Sequence, residues 1–148
     1  MSSSRAAGAS EVSFVLDASV AVAWCLPDEQ SAYADLVIEV LRDSYAIAPP
    51  LWRLEVVNAL LVAERRKRLS KADAEAAIRR MAILPIRIDA SPAGEFGSEF
   101  FVARETALTA YDASYLLCAS RLGLPLATAD AKLRKAAAYL AIPVFSPR

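Results

Sequence analysis

The 148-residue sequence contains no histidine. That absence excludes Ser-His-Asp and Cys-His triads, histidine-pair nucleases and histidine-ligated zinc sites. The two cysteines, Cys25 and Cys118, are far apart, have apolar neighbours and lack CxxC spacing. We therefore expect them to be buried free thiols in a reducing compartment. Any catalytic chemistry must depend on carboxylates, hydroxyls, lysines or arginines.

The chain also lacks net charge and long apolar runs. Lysine plus arginine total 17, and aspartate plus glutamate also total 17. No whole-protein field attracts nucleic acid, so any such binding must come from local patches. No stretch approaches the ~18 apolar residues of a membrane span, and the first ten residues lack a signal-peptide core. We expect a cytoplasmic protein without a membrane segment. Its mean hydropathy of +0.32 suggests that a partner covers some of its surface.

The length suits one domain. We expect residues 1–11 to be a disordered leader or a cloning remnant and residues 12–148 to form the domain. Apolar β-type runs alternate with longer helical ones, which predicts an α/β fold. It would be a three-layer α/β/α sandwich around a parallel sheet of about five strands. Strands are predicted at 12–16, 45–48, 85–88, 125–127 and 143–145, and helices at 18–26, 29–42, 51–68, 70–83, 92–107, 110–122 and 131–140.

Three helix ends carry sequence signals. Asp28 is a predicted N-cap for the second helix, and Ser70 with Asp73 three residues later resembles a capping box. Gly123 is placed to end the helix over 110–122 in a left-handed conformation.

Acidic residues follow two of the predicted strands. Asp17 follows the first strand in VLDAS, and Asp130 follows the fourth in LATAD. In a parallel sheet, ligands bind beyond the carboxyl ends of the strands, so both acids are expected at one edge. Each could instead be only an N-cap for the next helix. Ser19 and Thr128, each two residues from an acid, are either turn residues or groups that orient a ligand.

Two further acids share helix faces with apolar residues. Glu55 has Trp52, Asn58 and Ala59 three or four residues away on its helix. Asp112 opens a nearly apolar helix. Glu55 could pair with an arginine, and Asp112 could complement the helix dipole.

Four acids that converge in buried surroundings would repel one another unless a cation joined them. An oxygen-only set without histidine or thiolate favours Mg²⁺ or Mn²⁺. One metal site explains the four acids more simply than four separate roles do.

A basic run ends the helix that bears Glu55. It is either a solvated helix terminus or a rim that contacts RNA phosphates. The candidate RNA-contacting residues are Arg65, Arg66 and Arg68. Trp24, Trp52 and the tyrosines are expected in the core, because their spacing does not indicate base stacking.

The segments VLDASVAVAW, LEVVNAL and YDASYLLCASRLGLPLATAD resemble those of a PIN domain, specifically a VapC-type toxin ribonuclease of a toxin–antitoxin pair. The resemblance covers about residues 13–145. It implies an RNA-hydrolysing enzyme that forms a homodimer and binds a cognate antitoxin. It places the family's catalytic, metal-binding acids at Asp17, Glu55, Asp112 and Asp130, and its supporting polar residues at Ser19, Asn58 and Thr128.

Other classes fit less well. A haloacid-dehalogenase-like phosphatase would need a second aspartate where Ser19 stands, and a receiver domain would need an acidic pair where Val15 and Leu16 precede Asp17. A dinucleotide-binding protein would need GxGxxG, which the sequence lacks. Two alternatives remain, a catalytically inactive PIN-like binding module and a metal-dependent phosphatase of another α/β family. An inactive module would not need to keep four acids.

Overall fold

A computed structural model describes residues 12–91 and 94–147 of the chain. The leader expected at residues 1–11 lies outside the described residues. Strands and helices alternate in the predicted order. The strands are β1 (Val12–Leu16), β2 (Tyr45–Ala48), β3 (Ile86–Ile88) and β4 (Leu126–Ala127).

All strand pairs in the sheet are parallel, and the strand order is β3-β2-β1-β4. In the described ranges the sheet has four strands rather than about five. The predicted last strand makes one isolated parallel bridge, between Val144 and Leu126. The Leu126 N–H donates to the Pro143 carbonyl at 2.9 Å, and the Phe145 N–H donates to the Leu126 carbonyl at 2.8 Å. These contacts amount to a single bridge and not to a full strand.

Seven α-helices flank the sheet in the described part of the chain, which confirms the predicted three-layer α/β/α architecture. None of these helices is long and apolar enough to cross a membrane. The helices are α1 (Ala18–Cys25), α2 (Ala32–Val40), α3 (Leu51–Arg65), α4 (Lys71–Ile83), α5 (Ser98–Thr106), α6 (Ala110–Leu122) and α7 (Ala131–Tyr139).

The start of α2 differs from the prediction. Ser31, not Asp28, is the N-cap, and its Oγ accepts the Ala34 N–H at 3.0 Å. Asp28 lies in a 3₁₀ turn, Pro27–Glu29, that precedes the helix. A proline in front of two acids resembles a helix start, but the turn here closes before the helix begins.

Two other helices are shorter than predicted. Helix α3 ends at Arg65 because Lys67, with φ of 61°, leaves the helical conformation. Helix α5 begins at Ser98, after Gly97 with φ of 96°. The predicted earlier start falls partly on residues 92–93, outside the described residues.

The cap predicted at Ser70 is confirmed, since its Oγ accepts the Asp73 N–H at 3.0 Å. Gly123, with φ of 65°, ends α6 in the left-handed conformation, as predicted. Both ends agree with the sequence because a capping hydroxyl and a residue without Cβ suit these backbone positions.

Strand β1 lies within the core. Phe14, Val15 and Leu16 of β1 are fully buried, and Phe14 stacks on Phe145 with ring centroids 4.3 Å apart. This contact holds the C-terminal segment against the sheet. The two cysteines are free and buried, as predicted.

Candidate active site

Asp17 lies at the carboxyl end of β1 and is only 5% exposed. It occupies the N-cap position of α1, but its side chain makes no capping hydrogen bond. Instead its Oδ2 accepts hydrogen bonds from Ser19 Oγ at 2.5 Å and from Thr128 Oγ1 at 2.7 Å. The simple capping role is therefore wrong for Asp17, whose carboxylate contacts the two hydroxyls that the sequence singled out.

Ser19 and Thr128 join the ends of β1 and β4. Ser19 Oγ accepts the Ala129 N–H at 3.0 Å, and Thr128 Oγ1 accepts the Asp130 N–H at 3.0 Å. Each hydroxyl has one proton, and both protons point to Asp17, so the 3.3 Å approach of the two hydroxyl oxygens adds no further bond. The pair fixes the orientation of the Asp17 carboxylate and connects it to the segment that carries Asp130.

Asp130 serves as the N-cap of α7. Its Oδ1 accepts the Lys132 N–H at 2.8 Å and the Leu133 N–H at 3.3 Å. The capping alternative is thus observed for Asp130. The residue still lies at the carboxyl edge of the sheet, half-buried, and its backbone is bonded to Thr128.

Glu55 projects from α3 and is half-buried. Its Oε1 accepts a hydrogen bond from the Tyr115 hydroxyl at 2.5 Å. Burial, the hydrogen bond to Glu55 and the charge of Asp17 all raise the pKa of Tyr115, so the phenol keeps its proton and remains a donor. No arginine pairs with Glu55 in the part of the chain that the structure describes.

Tyr115 is a contact of the candidate site that sequence reasoning missed. It is fully buried on α6, three residues after Asp112, as a core residue would be. The available signal was chemical, since a buried tyrosine hydroxyl usually has a hydrogen-bond partner. An acid on a neighbouring apolar helix face is such a partner.

Asp112 lies half-buried in the first turn of α6. The helix is capped by Thr109, whose Oγ1 accepts the Asp112 N–H at 3.0 Å. This cap sets where the Asp112 backbone sits relative to β1 and α3.

Three of the four predicted acids are close enough to repel one another. Burial raises the pKa of Asp17, the hydrogen bonds from Ser19 and Thr128 oppose that rise, and the negative charge of Asp112 adds to it. Burial also raises the pKa of Glu55, the Tyr115 bond opposes it, and the charges of Asp17 and Asp112 add to it. We call Asp17, Glu55 and Asp112 the acidic cluster.

The acidic cluster lacks a cationic partner in the part of the chain that the structure describes. None of the ion pairs formed within residues 12–91 and 94–147 involves its members or Asp130. The side chains are also not gathered into a preformed metal site, because no group of three potential ligands is close enough in the described ranges. Oxygen donors with uncompensated charge fit a hard divalent cation such as Mg²⁺ or Mn²⁺, whose binding would draw them together.

A second buried acid, Asp89, shows how a compensated carboxylate differs. It lies at the end of β3, 5% exposed, and forms an ion pair with Arg121. Burial alone would raise its pKa, but the hydrogen bonds from Ser91 and Arg121 outweigh burial and lower the pKa to about 2. Asp89 thus needs no metal.

Sequence reasoning missed Asp89, although a signal was present. The tripeptide Asp-Ala-Ser occurs at Asp17, Asp89 and Asp112. At the first two positions the serine hydroxyl bonds to the aspartate two residues earlier. At the third, the hydroxyl of Ser114 bonds to the Tyr111 carbonyl instead, at 2.6 Å.

The remaining predicted residues are Asn58 and the three arginines near the end of α3. Asn58, predicted as a supporting polar residue, is exposed on α3. Arg65 and Arg66 are exposed at the end of that helix. Arg68 forms ion pairs with Asp28 at 3.0 Å and Glu29 at 2.7 Å, so its guanidinium is already engaged within the protein.

Comparisons with known proteins agree with this architecture. The family model of the PIN domain matches residues 14–139, from within β1 to the end of α7. The chain is also similar to the crystal structure of PAE2754 from Pyrobaculum aerophilum, with a TM-score of 0.61 and 28% sequence identity. That match covers 86% of this chain and 80% of the other. None of the curated proteins matches the sequence significantly. Because the family model covers most of its length, the chain belongs to the PIN domain family.

Proposed function

We propose that the protein is a Mg²⁺- or Mn²⁺-dependent endoribonuclease that acts as the toxin of a toxin–antitoxin pair. PIN domains are generally metal-dependent nucleases. The observation that carries the proposal is the acidic cluster beside the carboxyl edge of a parallel sheet. Its three carboxylates repel one another, and none forms an ion pair with another described residue. Such a cluster costs stability unless it binds something positive, so its presence favours a catalytic role over a structural one.

Each acid has a distinct proposed role. Asp17 and Asp112 hold the principal cation, and Asp130 completes the site directly or through water. Glu55 holds a second cation or positions the attacking water. When bound, the cation lowers the pKa of the attacking water and neutralises charge on the phosphate.

The surrounding residues orient these groups. Ser19 and Thr128 donate to one oxygen of Asp17, which leaves the other oxygen for a ligand. Tyr115 holds one oxygen of Glu55, which restricts the rotation of that side chain.

The exposed Arg65 and Arg66 are proposed to contact RNA phosphates, whereas Arg68 would first have to leave its two carboxylate partners. By family analogy the products carry 5′-phosphate and 3′-hydroxyl ends.

The proposed function also implies protein partners and a cellular location. We propose a cytoplasmic homodimer that is inhibited by a cognate antitoxin. Exposed apolar side chains support covered surfaces of this kind. Leu54 on α3 is 74% exposed, and Phe100 and Phe101 on α5 are 57% and 60% exposed.

The proposal is tested by mapping new RNA 5′ ends across the transcriptome after induced expression. Wild-type protein is compared with Asp112→Asn and with the matched control Asp73→Asn. Asp73 occupies the same position in α4 as Asp112 does in α6, with its N–H bonded to a capping hydroxyl at the same 3.0 Å.

Discrete new ends are expected with wild type and Asp73→Asn and not with Asp112→Asn. Their sequence would identify the RNA substrate. The same ends in all three strains, or no new ends from folded protein without antitoxin, would contradict the ribonuclease assignment.

A further inference from the structure

A groove of about 420 Å³ lies between the end of α5 and the face of α7. We call it the α7 groove. Its volume falls in the range of small-ligand sites. Its lining includes Thr106, Ala107, Leu108, Lys132, Lys135 and Tyr139.

The α7 groove begins beside the proposed active site. Lys132 is two residues after Asp130, and its backbone N–H is bonded to the Asp130 carboxylate. Leu108 directly precedes Thr109, the residue that caps the helix bearing Asp112. Both walls of the groove therefore start at helix ends that carry proposed catalytic acids.

One helix face supplies the polar groups of the groove. Lys132, Lys135 and Tyr139 are spaced by three and four residues, so they lie on the same side of α7 along about 10 Å of its axis. Tyr139 is 67% exposed, which overturns the expectation that all tyrosines belong to the core. An exposed aromatic ring in line with two cations is the arrangement that single-stranded nucleic acid binds through base stacking and phosphate contacts.

The charges in the groove favour a polyanion. In the described ranges neither Lys132 nor Lys135 takes part in an ion pair. The one acid in the lining, Glu105, accepts a long hydrogen bond of 3.4 Å from the Tyr139 hydroxyl. Two unpaired ammonium groups against one carboxylate leave the groove net positive in a chain whose total charge is zero.

We propose that the α7 groove binds one nucleotide of single-stranded RNA next to the scissile phosphate. Its base stacks on Tyr139, and the neighbouring phosphates contact Lys132 and Lys135. This inference rests on the proposed ribonuclease function and adds a substrate subsite that the acidic cluster does not provide. The α7 groove is then the larger RNA contact, and the arginines at the end of α3 are the smaller one.

The test measures RNA binding without cleavage, in protein that carries Asp112→Asn. A fluorescent single-stranded RNA of mixed sequence is titrated by anisotropy at several salt concentrations. In this background, Lys132→Gln with Lys135→Gln is compared with Arg65→Gln with Arg66→Gln, a pair that changes net charge equally at the rival site. Tyr139→Ala is compared with Tyr139→Phe, which keeps the ring.

We expect the lysine pair to weaken binding about 10-fold and to reduce the slope of log K against log salt by about 1.4, since two phosphate contacts are lost. Tyr139→Ala should weaken binding about 5-fold or more with an unchanged salt slope, and Tyr139→Phe should bind as before. The arginine pair should have the smaller effect.

Three results would overturn the proposal that the α7 groove binds RNA. The first is an equal loss in the lysine and arginine pairs, which would indicate only a general field. The second is unchanged binding in Tyr139→Ala. The third is a change of molecular mass by light scattering in the groove variants, which would indicate that a second copy of the chain covers the groove. Cleavage by wild-type protein, measured separately, decides the proposed function. If the wild type cleaves RNA but the groove variants bind RNA unchanged, the groove proposal alone is rejected. If neither cleavage nor RNA binding is observed, the groove proposal and the ribonuclease function are both rejected.

Discussion

At Asp17, two effects act on one carboxyl in opposite directions. Burial favours its neutral form and raises the pKa, while hydrogen bonds from Ser19 and Thr128 favour the ionised form. The carboxylate of Glu55 has the same balance, with Tyr115 as its donor. The hydrogen-bond donors thus orient the two acids without neutralising them, whereas Asp89 is neutralised by Arg121. Asp17 and Glu55 have neutral hydroxyl donors as partners, and Asp89 has an arginine. This difference in partners separates the acids of the candidate site from the structural acid.

Tyr115→Phe should shift the pH dependence of cleavage. The hydroxyl stabilises ionised Glu55, so its removal raises the pKa of Glu55, and the acidic limb of the pH–rate profile moves toward higher pH. The ring remains, so the fold should persist. A profile of kcat/KM against pH checks this. An unmoved acidic limb would show that Glu55 does not need to be ionised for the reaction.

Asp112→Asn should stabilise the metal-free protein at pH 7. Asp17 and Glu55 have pKa values raised above their ordinary 3.8 and 4.5, so the stability that they contribute is present at lower pH and is lost as pH rises through the raised values. Removing the Asp112 charge relieves part of this loss, on the order of 1 kcal/mol.

Urea denaturation in EDTA measures the effect, relative to Asp73→Asn, which loses the same interaction with a helix dipole. Added Mg²⁺ should then stabilise the wild type more than Asp112→Asn. A variant no more stable than its control in EDTA would show that the cluster is not repulsive.

At the scale of elements, short hydroxyl caps decide where the acids lie. Thr109 starts α6 just before Asp112, and Ser70 starts α4 just before Asp73. The sequence predicted Ser70 and the helix over 110–122, because capping depends on neighbours in the chain. The prediction that Asp28 is an N-cap was wrong, because two acids after a proline resemble a helix start. The turn there instead pairs with Arg68, a residue forty positions away, and no local pattern reports that contact.

Thr109→Ala should lower cleavage as well as stability. Loss of the cap costs about 1 kcal/mol, as it does in Ser70→Ala. Only Thr109 holds the backbone that carries Asp112, so Thr109→Ala should also reduce kcat about 10-fold. Unfolding curves and single-turnover cleavage of both variants separate the two effects. Equal kcat in the two variants would show that the cap has no positioning role.

At the scale of the molecule, the sheet topology brings distant segments together. Alternating strands and helices were enough to predict the α/β class and to place Asp17 and Asp130 at one edge, because parallel strands share a carboxyl edge. The pairing of Tyr115 with Glu55, sixty residues apart, depends on how α6 packs near α3, and sequence periodicity does not encode it. The expected fifth strand also depends on tertiary contacts, since Val144 is the one described residue of that segment that bridges to β4.

Phe145→Ala should destabilise the whole domain by about 2 kcal/mol. The substitution removes the ring that stacks on Phe14 of the central strand. Phe96→Ala, at a fully exposed ring, should have no effect. Thermal unfolding of both variants checks this. Equal melting temperatures would show that the C-terminal segment does not stabilise the fold.

The most direct test of the central claim is cleavage of a defined single-stranded RNA by purified protein, with Mg²⁺ or Mn²⁺ and with EDTA. Wild type and Asp73→Asn should cleave only when the cation is present, and Asp112→Asn should lose at least about 100-fold in rate while it remains folded. Full activity of Asp112→Asn at saturating Mg²⁺, or cleavage by the wild type in EDTA, would contradict the assignment of the acidic cluster as a metal-dependent ribonuclease site.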